Sequence, residues 1–209
     1  MKCVIVAGSP NLNLSLLKEI KYDFLIGVDG GALRLIEEHY RPDLVLGDFD
    51  SVSASDKARI LSQSGQLLEF DAKKNKTDTE LAIDEALKRE SNEIWLIGVT
   101  GRRIDHFLGT INLFSQFINK ETKLIIMDEY NKITLLKPGI TEIMKTKYRY
   151  ISFFSYLDSA VNLTLKGFKY ELNQHYLDNS SSLCISNEII DKGIITFNKG
   201  YLLVVESND

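Results

Sequence analysis

The 209 residues carry a formal net charge of −4, with 44% hydrophobic and 26% charged side chains. That balance suits a soluble globular chain long enough for one large domain or two modest ones. It argues against a protein that coats nucleic acid or an acidic membrane surface, while a few local cations remain enough to hold an anionic small molecule.

Six apolar runs predict strands over residues 3–7, 24–28, 44–46, 67–70, 94–99 and 124–127. Helical periodicity fills the gaps, over residues 14–20, 32–38, 55–62, 77–89 and 104–118. Strand–helix alternation with continuously apolar strands predicts a mostly parallel sheet flanked by helices. The first strand is too short for a signal sequence, and no run approaches membrane-spanning length, so the expected location is cytoplasmic. Cys3 and Cys184 lie in apolar strand-like runs without metal-like spacing and read as small core residues in a reducing compartment.

Ligands on parallel sheets bind beyond the carboxyl ends of strands, and four such ends carry polar, glycine-containing segments. The first is Asp29-Gly30-Gly31-Ala32, which opens a helix. Its N–H groups suit a phosphate, though a plain tight turn reads equally well. The second is Gly47-Asp48-Phe49-Asp50-Ser51. In extended backbone Asp48 and Asp50 project to one side as hard ligands for a Mg²⁺ on a polyphosphate, and Gly47 lets a ligand approach. An Asp-rich turn is the plainer alternative.

At the third end, Lys73-Lys74-Asn75-Lys76 leads into Thr77-Asp78-Thr79-Glu80. Thr77 and Glu80 have capping-box spacing, while Asp78 and the neighbouring lysines fit a metal and phosphate site as well as a solvated bend. The fourth end is Gly98-Val99-Thr100-Gly101-Arg102-Arg103-Ile104-Asp105-His106. Thr100 and Gly101 offer donors, Arg103 a fork for phosphate, and Asp105 an acceptor. His106 reads as a surface or capping residue. Ile104, Phe107, Leu108, Ile111 and Ile118 form the expected buried face of the long helix.

After Asp128 the pattern changes to short strands at 132–136, 149–154, 160–165, 183–186, 194–197 and 201–206, separated by turn residues. This predicts a small antiparallel β-sandwich, with a hairpin turn at Asn198-Lys199-Gly200. The expected domains are residues 1–129, binding nucleotide and metal, and residues 130–209. Ser186 and Asn187 close a strand with polar groups able to read a heteroaromatic ring, or serve simply as turn residues.

With these ends identified, the sequence resembles the thiamine pyrophosphokinase family over nearly its whole length. The motifs that carry it are residues 28–32, 42–51, 74–80 and 98–106, joined by Leu165-Lys166-Gly167-Phe168-Lys169-Tyr170 and Ile185-Ser186-Asn187-Glu188. The resemblance implies a homodimer that moves the pyrophosphoryl group of Mg·ATP onto thiamine and releases AMP. It implies Mg²⁺ on Asp48, Asp50 and Asp78, and ATP among Asp29, Gly30, Gly31, Thr77, Thr79, Thr100, Arg103 and Asp105. Arg103 and the run containing Lys74 would neutralise charge, and the resemblance implies that Ser186 with Asn187 contacts thiamine in a pocket drawn from both chains. Three positions depart from the pattern. Asn75 stands where Asp is common, Arg102 replaces the second Gly of a Gly-Gly-Arg turn, and Thr110 replaces an Asn.

Overall fold

Cys3, Val4, Ile5 and Val6 are all fully buried, so both faces of the first strand are covered, as an apolar run without alternation requires. The structure, a computed structural model, describes residues 1–50, 52–70 and 75–209. In the unit Met1–Glu129 the strands are β1 (Lys2–Val6), β2 (Phe24–Val28), β3 (Leu44–Gly47), β4 (Gln66–Glu69), β5 (Glu93–Ile97) and β6 (Lys123–Met127). They pair in parallel in the order β4-β3-β2-β1-β5-β6. The chain builds outward from β1 to β4, then returns to lay β5 and β6 on the other side. Strand order therefore reverses between β1 and β5, and loops diverging there open a crevice.

The helices are α1 (Gly30–Glu37), α2 (Ala54–Gln63), α3 (Asp78–Lys88) and α4 (Ile104–Asn112). The Ser53 and Thr77 side chains accept the N–H groups of Asp56 and Glu80, each cap contributing about 1 kcal/mol. Ala32 and Ile36 of α1 pack with Val45, Phe49 and Ile60. Leu35, on the same helix, joins Val4, Val6 and Leu25 in a second cluster. Along α3, Ala82, Ile83 and Ala86 are fully buried.

Four expectations in this unit need correction. Residues 14–20 form only a short 3₁₀ turn, Leu14–Lys18, whose Leu14, Leu16 and Leu17 are buried. The long helix expected to residue 118 stops at Asn112 and continues as a 3₁₀ turn, Leu113–Phe117. Phe114 and Phe117 are the buried anchors there, three residues apart and so stacked on one side of the 3₁₀ turn. Ile104 and Leu108, expected in the core, are 68% and 55% exposed. Their periodicity was real, but the burial is supplied by the two phenylalanines. β4 is also less buried than its apolar run suggested, because it is an edge strand of this parallel order.

The unit Tyr130–Asp209 holds β7 (Asn131–Leu136), β8 (Gly139–Met144), β9 (Tyr150–Phe168), β10 (Leu172–Leu177), β11 (Ile189–Phe197) and β12 (Lys199–Ser207). All its pairings are antiparallel. β12 lies between β7 and the first stretch of β9, while β11 lies between β8 and the last stretch of β9. β10 pairs with that last stretch too. Residues 149–154 and 160–165, expected as two strands, are thus one 19-residue strand. Leu157 and Asn162, with φ of 64° and 59°, interrupt its regular path and let it serve both ladders.

The expected hairpin at 198–200 is not one. β11 and β12 adjoin in sequence yet do not pair with each other, and each lies against a different stretch of β9, so the turn carries the chain from one ladder to the other. Around it Phe153, Leu165, Phe168, Leu177, Ile195, Phe197 and Leu202 form the core of the unit. The Phe153 and Phe168 rings meet edge-on at 5.6 Å. Residues 183–186 are a turn, not a strand.

Candidate active site

A cavity of about 1000 Å³ opens at the carboxyl ends of β1, β2, β3 and β5. Its wall takes Ala7 to Pro10 after β1, Val28 to Gly30 after β2, Asp48 after β3, Lys76 to Glu80 at the start of α3, and Gly98 to Arg103 after β5. Asp105, His106, Gly109 and Thr110 of α4 complete it on one side. The cavity occupies the reversal in strand order, where the loops leaving β1 and β5 diverge.

Asp29 adopts φ 45° at the end of β2, and its N–H donates to the Leu46 carbonyl at 3.0 Å. A Cβ at position 47 would collide with the Asp29 carboxylate oxygen. Gly47, expected to admit a ligand, is therefore required by a neighbouring side chain. Phe49 has φ 54° and is buried, so the backbone between the two aspartates is not extended. Asp48 faces the cavity, whereas Asp50 is exposed and lies outside its wall. The Asp50 N–H donates to Asp48 Oδ1 at 3.1 Å, an Asx turn. Ser51 lies outside the described residues.

The two glycines at the start of α1 differ in purpose. A Cβ on Gly31 would strike the Val6 carbonyl, so close packing of helix on strand sets that residue. Gly30 lines the cavity, and a Cβ there would meet nothing nearer than the Gly8 Cα at 4.0 Å.

At α3, Thr77 caps the helix and also lines the cavity, beside Asp78 and Thr79. Glu80 does not close the capping box. Its Oε1 accepts from Gln116 Nε2 at 3.1 Å and stands 3.4 Å from Lys76 Nζ. Lys76 in turn donates to Asp84 at 2.7 Å, and that bond raises its pKa. Lys73 and Lys74 lie outside the described residues. Among the described residues no group of three or more histidines, cysteines or carboxylates is arranged to hold a metal. Asp48 and Asp78 do share the cavity wall, and a pair of carboxylates fits Mg²⁺, which commonly fills its other positions with water and phosphate oxygens.

The turn after β5 begins with Gly98 at φ 73°, where a Cβ would strike the Ala7 carbonyl. Arg103 engages Asp105 through Nε to Oδ1 at 2.9 Å and Nη2 to Oδ2 at 2.6 Å. The guanidinium holds the Asp105 carboxyl well below the usual carboxylate range, although both side chains are exposed. Thr100 and Gly101 lie on the wall, with Arg102 and His106 also exposed there.

One segment was missed by the sequence reading. Gly8-Ser9-Pro10 lines the cavity, a fifth polar strand end beside the four read from the sequence. The available signal was positional, since a Gly-Ser-Pro step closes a fully apolar strand of a strand–helix series.

In the second unit Ser186 is exposed at φ 57°, and its N–H donates to Ser152 Oγ at 3.0 Å. Asn187 is only 3% exposed. Its Nδ2 donates to the Tyr170 carbonyl at 2.7 Å, and its Oδ1 accepts the Tyr170 and Glu188 N–H groups at 3.0 and 2.9 Å. The amide is engaged in tying two turns together, which leaves Ser186 as the member that meets solvent.

Residues 17–126 match the family model described as thiamin pyrophosphokinase, catalytic domain, and residues 140–202 match the thiamin pyrophosphokinase vitamin B1 binding domain. The thiamine pyrophosphokinase of Bacillus subtilis (strain 168) is 37% identical over 212 residues, covering 98% of each chain. A crystal structure of thiamine pyrophosphokinase from Bacillus subtilis superposes over 100% of both chains with a TM-score of 0.93 and 37% identity. A thiamin pyrophosphokinase family protein from Enterococcus faecalis covers 100% of both chains with a TM-score of 0.87 and 31% identity. The yeast thiamin pyrophosphokinase shares the fold, with a TM-score of 0.82 at 15% identity over 99% of this chain and 86% of that one.

Proposed function

The chain belongs to the thiamin pyrophosphokinase family, and from that premise we propose that the cavity between β1 and β5 holds Mg·ATP. The activity is transfer of a diphosphate group from ATP to thiamine. In that reaction the thiamine hydroxyl oxygen bonds to the β-phosphorus, and the bond from that phosphorus to the α–β bridging oxygen breaks. AMP leaves and the hydroxyl proton is lost.

One observation carries the placement. Asp48, Asp78, Gly30, Thr77, Thr100 and Arg103 come from four separate strand ends and meet on one cavity wall. Transfer of this kind depends on positioning and charge neutralisation more than on covalent chemistry. Asp48 and Asp78 would hold Mg²⁺, which neutralises phosphate charge when bound. Asp50, Asp29, Gly31, Thr79, Gly101 and Asp105 support this arrangement by backbone placement or by contact with ATP. Lys76 is the described cation of the lysine run on the wall, and Lys74 precedes it.

Ser186 contacts thiamine, and Asn187 fixes the turn that presents it. The protein acts in the cytoplasm as a homodimer, without nucleic acid or membrane; no helix among the described residues is long and apolar enough to cross one. Incubation with thiamine, ATP and Mg²⁺, followed by mass analysis, should give thiamine diphosphate and AMP in equal amounts. Free pyrophosphate or phosphate with unmodified thiamine would refute the assignment.

A further inference from the structure

The parallel ladder between β1 and β5 does not stop where the strands do. After the Val6–Ile97 pair, the Ala7 N–H donates to the Ile97 carbonyl at 2.9 Å and the Ser9 N–H to the Gly98 carbonyl at 3.1 Å. Beyond Ser9 the chain turns away, and the Leu12 N–H closes back on the Ser9 carbonyl at 3.1 Å. At that point the Ser9 hydroxyl takes over and donates to the Thr100 carbonyl. The fit is tight on both sides, because a Cβ on Gly101 would collide with Ser9 Oγ.

A trans peptide is planar, with its C=O and N–H directed oppositely. Tying the Thr100 carbonyl to Ser9 therefore directs the Gly101 N–H away from Ser9. Among the described residues that N–H has no protein acceptor, and Gly101 lies on the cavity wall. We propose that Ser9 is a positioning residue for the phosphates of ATP, holding the Thr100–Gly101 peptide so that the Gly101 N–H is fixed for a phosphate oxygen. The inference rests on the reading that this cavity is the nucleotide site. An N–H held before the ligand arrives needs no reorganisation when it binds.

The test compares Ser9→Ala, Ser9→Thr and Asp48→Asn in steady-state kinetics, with inorganic tripolyphosphate as a competing probe. Ser9→Ala should raise the KM for ATP and the inhibition constant of tripolyphosphate about tenfold, the scale of one hydrogen bond to a charged group. The KM for thiamine and the melting temperature should stay at the parent values. Ser9→Thr, which keeps the hydroxyl, should recover both constants to within about threefold of the parent. If Ser9→Ala does not fold, Ser9→Cys keeps the volume with a weaker donor and should show the same split between ATP and thiamine. Unchanged tripolyphosphate inhibition in Ser9→Ala, with turnover lost in Asp48→Asn, would overturn the role of Ser9 alone. Equal losses toward ATP and thiamine would overturn it too, since that is general damage. Normal turnover in Asp48→Asn would remove the nucleotide site from this cavity, and the inference with it.

Discussion

Arg103 lies clasped on Asp105, two residues along the chain, with Nε to Oδ1 at 2.9 Å and Nη2 to Oδ2 at 2.6 Å. The fork that suits a phosphate is thus satisfied by a carboxylate on the same turn. Both groups are exposed, so solvent screens the pair and its contribution to stability is small. Its pH sense is still definite. A lowered carboxyl pKa means the pair persists above the ordinary Asp value and is lost only as pH falls through the depressed one.

Arg103→Lys keeps the charge and removes the fork. It should lower kcat/KM for ATP by about ten- to a hundredfold, the scale of a lost bidentate contact, with the KM for thiamine unchanged. Steady-state kinetics at fixed ionic strength decide this. Parent-like values would make the Arg103–Asp105 pair a surface contact with no part in ATP binding.

The three aspartates should not be equivalent. Asp48 and Asp78 line the cavity while Asp50 is exposed outside it. Asp48→Asn and Asp78→Asn should each cut turnover at least a hundredfold and raise the Mg²⁺ needed for half-maximal rate, roughly the loss of a hard ligand. Asp50→Asn should lose less than about tenfold, since the backbone N–H it donates to Asp48 survives the change. Magnesium titrations, with circular dichroism to confirm folding, rank the three. Equal losses would mean that Asp50 turns inward when ligand binds.

Gly47→Ala should destabilise the protein by about 1–3 kcal/mol, the scale of local backbone and contact strain. The added methyl strikes the Asp29 carboxylate, so the loss should shrink in the double variant with Asp29→Gly. Urea unfolding of both single variants and the double gives the coupling directly. Additive losses would show that the Asp29 contact is not the cause.

Burial pushes the Cys3 thiol up to about 12 and the Cys184 thiol up to about 11. Because the folded values are raised, this contribution to stability is complete below the unfolded thiol value of about 9.0 and is lost as pH rises toward 11 and 12. Native protein at pH 8 should resist iodoacetamide at both positions, and urea should expose both. Rapid native labelling of either cysteine would contradict the packing around it.

The parallel half of the fold was legible because its strands are buried on both faces, so their apolar runs are continuous, as in Cys3 to Val6. The four polar strand ends were legible for the same reason, as sudden breaks in apolar runs. Ser9 was not, because its importance lies in a side-chain bond to residue 100, which no local pattern encodes. Ile104 and Leu108 misled because periodicity reports amphipathicity and not which apolar face finds a partner. In the second half, β8 and β10 were missed. β8 exposes Ile140 and Met144 beside Glu142, and β10 exposes Tyr176 beside Gln174, so neither shows the apolar–polar alternation that marks a half-buried strand. The long β9 was divided because Asp158 and Ser159 look like turn formers, whereas the chain bends there without leaving the ladder.

β12 lies between β7 and the first stretch of β9, pairing Leu203 with Leu135 on one side and with Phe154 on the other. During synthesis this central place stays empty until residues 199–207 have left the ribosome, long after β7 and β9 have emerged. The early strands must then wait with open edges, a state in which pairing with another nascent chain competes with correct closure. Elongation pauses in this last stretch, or substitutions that weaken β12, should therefore lower the yield of folded protein more than they lower the stability of molecules already folded.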